Sequence, residues 1–305
     1  MVDTKKKVIA LSCGRKNGNG ELLLKEALMA AEELGVAHEI IHAMDLRVKP
    51  CRGCETCTMA MARGEEARCS IRDDDMEWIL ERTLVDDAAL IVACPVYHQR
   101  ANGYFEIINE RMLPTMFRHP EILKKTRVGA IISSGGGAAD GTSLALSTMN
   151  IFVQHTRKLV DQMQTNYCGS VGTVLMHDEY VERARRLGQN VARAMQMPIE
   201  EVRYAGEQKA VACPVCHCDV VQVPAGFPDV YCPVCWVRGV VEFDSGKLTV
   251  QWNEEDASHP RYSEYGIGKH LEMIAGLQEK YFKEDRPVIT ERAGRYMGYG
   301  NYIRP

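Results

Sequence analysis

Short apolar runs alternate with stretches of helical periodicity over the first two thirds of this chain. The apolar runs predict five buried strands, at residues 7–12, 37–42, 88–93, 128–133 and 159–163. Between them, apolar residues recur at helical spacing, as at Leu24, Leu28 and Ala31, and predict helices at residues 21–34, 74–84, 104–112, 142–155 and 179–195. This alternation is typical of an α/β fold in which a doubly wound, parallel five-stranded sheet is covered by helices on both faces.

Three loops of unusual composition follow the first, third and fourth of these strands. They are C-G-R-K-N-G-N-G at residues 13–20, C-P-V-Y-H-Q-R at residues 94–100 and S-G-G-G-A-A-D-G at residues 134–141. Because the carboxyl ends of parallel strands meet at one edge of a sheet, we expect the three loops to lie together, where open α/β sheets bind ligands.

The first loop has the chemistry of a phosphate site. A strand, a glycine-rich turn and a helix in that order expose backbone N–H groups and a helix N-terminus, both of which bind anions. Arg15 adds a cation that can form charge-assisted hydrogen bonds. The loop matches neither the ATP-binding pattern nor the dinucleotide fingerprint, and an ordinary turn without a ligand is the alternative interpretation.

Residues 50–70 carry closely spaced thiols. Cys51, Cys54 and Cys57 are separated by two residues each, and Cys69 follows after a polar stretch. Three thiols at this spacing can surround one small inorganic cluster, with the more distant thiol as the fourth ligand of a [4Fe–4S] cube. A structural zinc site and buried thiols without a metal are the alternatives, although zinc sites usually consist of two separated C-x-x-C pairs.

Two separated pairs of that kind occur later in the chain. Cys213 and Cys216 belong to one C-P-V-C sequence, and Cys232 and Cys235 belong to a second. Two such turns facing each other form a tetrahedral site with four thiolates, which suits Zn²⁺ or a single iron. A zinc-ribbon or rubredoxin-like domain is therefore predicted at residues 205–255, because so short a segment needs a metal to replace a large core.

The sequence thus predicts three parts. Residues 1–200 form the α/β domain with the cysteine loop inserted at 50–70, and the metal-binding ribbon follows, closed by a strand pair at residues 240–252. Residues 256–305 contain a predicted helix at 270–282 and a tail from residue 292 onward that is rich in Arg, Tyr and Gly. We expect the tail either to be disordered or to lie over a partner subunit.

Composition limits the classes of function. The chain has 305 residues, 46% of them hydrophobic, and a net charge of −4 with acidic and basic residues interspersed, which gives no sign of a nucleic-acid-binding surface. Neither a membrane-spanning run nor a signal-peptide pattern is present in the sequence, so we expect a cytoplasmic protein. In that compartment the 12 cysteines indicate metal or redox chemistry rather than disulfides.

Together these motifs resemble the flavodoxin-like NADPH-dependent FMN reductase family and, within it, the iron–sulfur flavoproteins. The sequence R-K-N-G-N at residues 15–19 is similar to that family's phosphate loop, C-P-V-Y at 94–97 to its S-P-V-Y loop beside the isoalloxazine ring, and S-G-G-G at 134–137 to its third FMN loop. The cysteine motif followed by D-D-D-M at 73–76 is similar to the marker of the iron–sulfur subgroup. The resemblance covers the chain up to about residue 197.

The resemblance implies FMN as a cofactor and Cys69 as the fourth cluster ligand, because the family places that ligand just before the acidic run. The FMN-binding residues that it implies are Cys13, Arg15, Asn17, Gly18, Asn19, Gly20, Pro95, Val96, Tyr97, His98, Ser134, Gly135, Gly136 and Gly137. This chain has Cys13-Gly14 where Ser-Pro is usual and Gly20 where Ser or Thr is usual. Two hydroxyl donors to the phosphate are therefore missing, and the stretch between Cys57 and Cys69 is longer than the family's.

The expected function is that of an FMN-dependent redox protein. Electrons would pass between a [4Fe–4S] cluster, FMN and a redox partner, such as a ferredoxin or NAD(P)H, or a small acceptor. The resemblance implies a homodimer or homotetramer in which the cluster and the flavin of different subunits approach each other. Two alternatives stay open: a plain NAD(P)H-dependent flavin or quinone reductase with only structural metal, and a non-catalytic docking subunit of a larger redox complex.

Overall fold

A computed structural model describes residues 6–225, 229–284, 286–297, 299–300 and 303. The strands of its main sheet are β1 Lys7–Ser12, β2 Ala37–His42, β3 Ala89–Tyr97, β4 Arg100–Ala101, β5 Val128–Ser134 and β6 Lys158–Thr165. Five of them run parallel in the order β2-β1-β3-β5-β6, and the short β4 pairs antiparallel with the end of β3. This is the strand order of a flavodoxin-like doubly wound sheet, so the predicted fold class is confirmed.

Helices cover both faces of the sheet. The helices of the α/β part are α1 Asn19–Glu32, α2 Thr56–Ala62, α3 Met76–Leu80, α4 Gly103–Glu110, α5 Leu113–Arg118, α6 Ala145–Thr156 and α7 Asp178–Ala194. Alternate residues of β1 face opposite ways: Val8 and Ala10 pack in a core with α1 and α7, whereas Ile9 and Leu11 pack with α3 to α6. Because both faces of the sheet are buried, the strands appear in the sequence as continuous apolar runs.

The remaining chain forms a small antiparallel sheet and three helices. Its elements are β7 Asp229–Tyr231, β8 Arg238–Asp244, β9 Lys247–Trp252, α8 Glu254–Ser258, α9 Glu264–Lys283 and α10 Arg286–Gly294. The predicted tail from residue 292 onward lies partly outside the described residues. No helix in the described part of the chain is long and apolar enough to cross a membrane.

Several elements differ from the sequence prediction. The loop expected after the third strand is a hairpin, because His98 and Gln99 both adopt positive φ (49° and 71°) and form a two-residue turn between β3 and β4. The helix predicted at 74–84 ends as a π-helical turn at Glu81–Val85. Four helices, α2, α5, α8 and α10, were not predicted. The C-terminal helix begins earlier than expected, because the Ser263 hydroxyl accepts a hydrogen bond from the Gly266 N–H (3.0 Å) and caps it.

Helices α1 and α7 cross in close backbone contact. A Cβ atom at Gly188 would lie 1.8 Å from the Ala27 carbonyl oxygen, so only glycine permits this crossing. The backbone of α1 is fixed by the sheet beneath it and cannot move away without loss of packing.

We therefore expect Gly188→Ala to lower the free energy of unfolding by about 1–3 kcal/mol, the usual cost of overpacking a core. Urea denaturation followed by circular dichroism measures the change. Gly276→Ala is the matched control, because a Cβ at this position in α9 meets no atom within 4 Å. It should cause no loss of stability, and equal behaviour of the two variants would contradict the packing argument.

Candidate functional site

A cavity of about 280 Å³ lies where the three loops meet, at the carboxyl ends of the strands. Its lining comprises Gly14, Arg15, Gly18, Asn19, Gly20, Glu21, Pro95, Val96, Tyr97, Ser134, Gly136, Cys168 and Gly169. The sequence-predicted residues Cys13, Asn17, His98, Gly135 and Gly137 do not line it. The expected meeting of the three loops is thus observed, with a fourth loop, after β6, added to them.

The N-terminus of α1 opens into this cavity. The first helical hydrogen bond runs from the Leu22 N–H to the Gly18 carbonyl (2.9 Å), so the N–H groups of Asn19, Gly20 and Glu21 have no partner within the helix. Such groups, with the helix dipole behind them, bind phosphate. Arg15 is exposed at the same loop. The arrangement has the donors of an anion site even without the hydroxyl donors that this sequence lacks.

The fourth loop is joined to the first by the Asn19 side chain. Its Nδ2 atom donates to the carbonyls of Cys168 (2.7 Å) and Ser170 (2.8 Å). At the other side, a Cβ at Gly136 would lie 2.9 Å from the Gly169 Cα, so two backbones touch there. Sequence reasoning missed Cys168 and Gly169, although their place just after the fifth parallel strand was a usable signal.

A buried carboxylate lies beside the helix N-terminus. Glu21, which is 6% exposed, accepts a hydrogen bond from the Ser12 hydroxyl (3.2 Å) and pairs with Lys25 (2.8 Å). Burial raises the pKa of Glu21, but the bond from Lys25 and the other donors outweigh it and lower the pKa overall. Glu21 is therefore charged at neutral pH, and Lys25 offsets the repulsion that it would exert on a bound phosphate.

Cys13 and Cys94 lie beneath the cavity instead of facing it. Both are fully buried, and Asn102 joins their strands by donating from Nδ2 to the Cys13 carbonyl (2.7 Å) and from its N–H to the Cys94 Sγ (3.3 Å). The hydrogen bond with Cys94 and burial raise the pKa of the Cys13 thiol. Cys13 is thus a neutral packing residue beneath the cavity, and its assignment to the cofactor site stays a prediction.

The four remaining predicted residues that do not line the cavity lie in the loops around it. His98 stands at the tip of the β3–β4 turn. Asn17 is tied to α1, since its Oδ1 accepts from Lys25 Nζ (2.8 Å). Gly135 packs against Thr142. The Gly137 carbonyl accepts a hydrogen bond (3.0 Å) from the backbone N–H of Tyr167, in the loop after β6.

The compact cysteine segment lies on the surface after β2. Cys51 and Cys54 are exposed, whereas Cys57, on α2, and Cys69 are half-buried. The Cys54 sulfur contacts the hydroxyls of Ser70 (3.1 Å) and Thr56 (3.3 Å), and these bonds lower the pKa of Cys54 to about 7. Stabilised thiolates of this kind are suited to metal or cluster binding.

A buried arginine holds both ends of this segment. Arg111, which is 4% exposed, forms an ion pair with Asp74 and donates to the carbonyls of Lys49 (3.1 Å) and Ile71 (3.1 Å). Its second Nη atom donates to the Cys69 Sγ (3.3 Å). Sequence reasoning missed Arg111, because nothing in the spacing of the chain connects it to residues 49–74. Through Asp74, the run of aspartates at residues 73–75 is also part of the framework that holds the cysteines.

The four ribbon cysteines form a compact buried cluster. The sulfurs of Cys213, Cys216, Cys232 and Cys235 lie within 4.8 Å of one another, and none of the four residues is more than 1% exposed. This is the arrangement of ligands around a single metal ion. Within the described ranges no second group of this size occurs. A four-iron cube holds its thiolates farther apart, because each one binds a different iron.

The two ribbon turns have the same backbone geometry. In the first, the Cys213 N–H donates to the Cys218 carbonyl (2.8 Å), and in the second, the Cys232 N–H donates to the Val237 carbonyl (2.9 Å). The residue after the second cysteine has positive φ in both turns, 57° at His217 and 63° at Trp236, where glycine is the unstrained choice.

Contacts of the two rings offset that strain. The His217 ring stacks on Tyr204 with centroids 3.6 Å apart, and the Trp236 ring lies 4.6 Å below the Arg261 guanidinium. The His217 carbonyl also accepts from Gln162 Nε2 on β6 (3.0 Å). Non-glycine residues at these positions thus attach the ribbon to the α/β part and to the segment before α9.

Together, the parallel sheet and the loop-lined cavity define the class of protein: an α/β oxidoreductase of the NAD(P)H:FMN reductase type. The chain belongs to the NADPH-dependent FMN reductase family, whose sequence model matches residues 6–166. The family prediction is therefore confirmed, and the protein is an FMN-dependent redox protein.

Several relatives carry iron–sulfur names. An iron–sulfur flavoprotein of Methanocaldococcus jannaschii is 29% identical over 200 residues, which cover 63% of this chain and 98% of that protein. One from Archaeoglobus fulgidus is 28% identical over 193 residues, covering 63% of this chain and 80% of that protein.

Two other relatives carry flavone names. A flavone synthase of Aspergillus candidus is 30% identical over 159 residues, which cover 50% of this chain and 48% of that protein. The solved structure of a flavone reductase superimposes with a TM-score of 0.76 at 24% identity and covers 98% of this chain and 99% of that one. The fold of the whole chain, including the ribbon, is therefore similar to that of a solved structure.

We expect Cys232→Ser to abolish metal binding by the ribbon and to unfold residues 209–252 locally, because buried thiolates form the core of this sheet. Limited proteolysis with metal analysis should show cleavage there while the α/β part survives. Cys218→Ser is the matched control, since this buried thiol contacts Ser147 (3.2 Å) and lies outside the four-sulfur cluster. A ribbon that stayed protected after loss of its metal would contradict this account.

Proposed function

We propose that the cavity holds FMN and that the thiols of residues 51–69 hold a [4Fe–4S] cluster, so that the protein passes electrons between one-electron and two-electron carriers. The observation that carries the proposal is the convergence of the loops after β1, β3 and β5 around the free N–H groups of α1. The N–H groups of Asn19 and Gly20, with Arg15, would hold the phosphate, and residues 95–97 would contact the flavin. When bound, FMN supplies chemistry in both one-electron and two-electron steps.

The position of the cysteine segment supports a cluster near the flavin. The segment follows β2, which neighbours β1 in the sheet, so it leaves from the same edge as the phosphate loop. An ion pair between Lys16 and Asp45 joins that loop to the residues before the cysteines. Exposure of Cys51 and Cys54 would let a redox partner, such as a ferredoxin, approach the cluster.

A homodimer or homotetramer is part of this proposal. Apolar side chains stand exposed around the cavity, with Tyr97 61%, Tyr167 71% and Met176 80% exposed. Patches of this kind are typical of interaction sites. A second subunit covering them would shield the flavin from water and bring its own cysteine segment close.

A second candidate function is the direct, NAD(P)H-dependent reduction of a planar aromatic acceptor at the flavin. The similarity to a flavone synthase over half of the chain favours it. The exposed Tyr97 ring at the cavity would then form one wall for the acceptor. Anaerobic NADPH oxidation that depends on added flavone, and that persists without the cluster, would favour this candidate over partner-linked electron transfer.

Two substitutions test the phosphate site in opposite directions. Arg15→Ala should weaken FMN binding roughly ten- to hundredfold, because a charge-assisted contact is lost. Gly20→Ser should tighten binding by about two- to tenfold through one added hydroxyl donor. A Cβ at Gly20 makes only ordinary contacts, 3.8 Å from the Ser134 Cβ. Fluorescence titration of flavin-free protein with FMN measures both, and unchanged affinities would refute the assigned phosphate position.

Loss of a cluster ligand should separate the two cofactors. We expect Cys69→Ala to leave no cluster or a three-iron form, while FMN still binds through its own loops. Electron paramagnetic resonance and iron and sulfide analysis of anaerobic protein measure the cluster, and visible absorbance measures FMN. Ser70→Ala, which removes only a hydroxyl contact to Cys54, should retain four irons. An intact four-iron signal in Cys69→Ala would exclude Cys69 as a ligand.

A further inference from the structure

A second cavity, of about 300 Å³, shares no lining residue with the flavin cavity. It lies between α4 and α5 on one side and α6 and the start of α9 on the other. Its walls are mostly apolar and include Met112, Met116, Phe117, Leu123, Ile267 and Leu271. A cavity of this size is at the lower end of the range for small-molecule sites, which combine apolar walls with a few polar groups.

One cation stands in this apolar setting. Arg261 is half-buried and lies between this cavity and an adjoining pocket, which Trp236, Glu255 and Asp256 also line. In residues 6–225 and 229–284 its guanidinium has no carboxylate within ion-pair distance and no hydrogen-bond acceptor, and its contacts are the rings of Trp236 and Tyr262. By contrast, the neighbouring Arg238 pairs with Asp256 (2.7 Å), and Lys269 pairs with Glu272 (2.9 Å).

The Arg261 guanidinium therefore keeps N–H donors that no protein acceptor uses, beside an apolar space. A carboxylate matches its planar pair of donors and gives charge-assisted hydrogen bonds. The cavity therefore has the two features of a site for an amphipathic anion: an apolar space and one unmatched positive charge at its wall.

The other polar groups of the lining limit the ligand to one negative charge. The His155 Nδ1 bonds the Ile151 carbonyl (2.5 Å), and burial lowers the pKa of His155 to about 3, so the ring is neutral and its Nε2 is an acceptor. Burial also lowers the pKa of His270. Glu110, which is exposed at the lining, would repel a second anionic group.

We propose that this cavity binds a small monocarboxylate, whose carboxylate pairs with Arg261 and whose aromatic or branched apolar body fills the space between α5 and α9. The backbone N–H of Arg261 donates to the carbonyl of Cys235 (3.0 Å), which connects the cavity to the ribbon cysteines. On the other side, Met112 of the cavity wall directly follows Arg111, whose guanidinium donates to the Cys69 Sγ. The bound acid thus lies between the two cysteine sites.

Calorimetric titration of the full-length protein, purified with its cofactors, tests this with 4-phenylbutyrate and its uncharged analogue 4-phenylbutan-1-ol. The acid should bind saturably at one site per chain, and the alcohol at least about tenfold more weakly. Arg261→Gln should reduce the affinity for the acid to that for the alcohol. Lys269→Gln, the matched control, removes a nearby charge that is already paired and should leave both affinities unchanged.

A cavity-filling variant locates the site. Leu271→Trp should abolish binding of both compounds while the flavin absorbance stays unchanged, which separates this cavity from the FMN site. Equal affinities for acid and alcohol, full binding of the acid by Arg261→Gln or Leu271→Trp, or no saturable binding up to about 10 mM acid would each overturn the proposal. If Arg261→Gln does not fold, the comparison of acid and alcohol in the unmodified protein and Leu271→Trp still decide the question.

Discussion

A parallel sheet buried on both faces is the constraint on which the rest of this structure depends. Parallel strands must be joined by crossovers, so every strand delivers its following loop to the same edge. In the order β2-β1-β3-β5-β6, the loop after β1 lies between the cysteine segment, which follows β2, and the loops after β3, β5 and β6. One edge therefore carries the loops that line the cavity and the cysteine segment, although their residues are far apart in the chain.

Holding a long surface segment in place against its conformational entropy requires strong anchors. The Arg111–Asp74 pair supplies one, because both side chains are almost fully buried and Arg111 also binds two carbonyls and a thiol. Loss of one member of such a pair leaves the other charge uncompensated, which typically costs about 3–5 kcal/mol. The backbone N–H groups of Arg47 and Lys49 add bonds to Asp75 (2.8 Å) and Asp74 (3.0 Å). The cysteines can thus stay exposed while the base of their segment is rigid.

Features encoded locally were predictable from the sequence, and features that depend on distant contacts were not. Periodicity located the strands of the main sheet, and the repeated C-P-V-C turns located the ribbon cysteines, because each turn is formed by adjacent residues. The role of Arg111 depends on a contact across 42 positions with Cys69, which no local pattern shows. Cys13 was assigned to the cofactor site from its place in the motif, and the motif does not show that its side chain is buried beneath the cavity. The His98–Gln99 turn was missed, since neither residue is the glycine that usually marks it.

The two cysteine sites differ in a way that bears on what each can do. The ribbon sulfurs are enclosed by Val234, Val237 and other apolar residues, so a metal there is shielded from exchange and replaces a hydrophobic core. The thiols of residues 51–69 are partly open to solvent and receive hydrogen bonds from hydroxyls and from the Arg111 guanidinium. Donors of this kind stabilise added negative charge on sulfur and raise the reduction potential of a cluster. Burial therefore favours a structural metal in the ribbon, and exposure with polar donors favours electron exchange at the sheet edge.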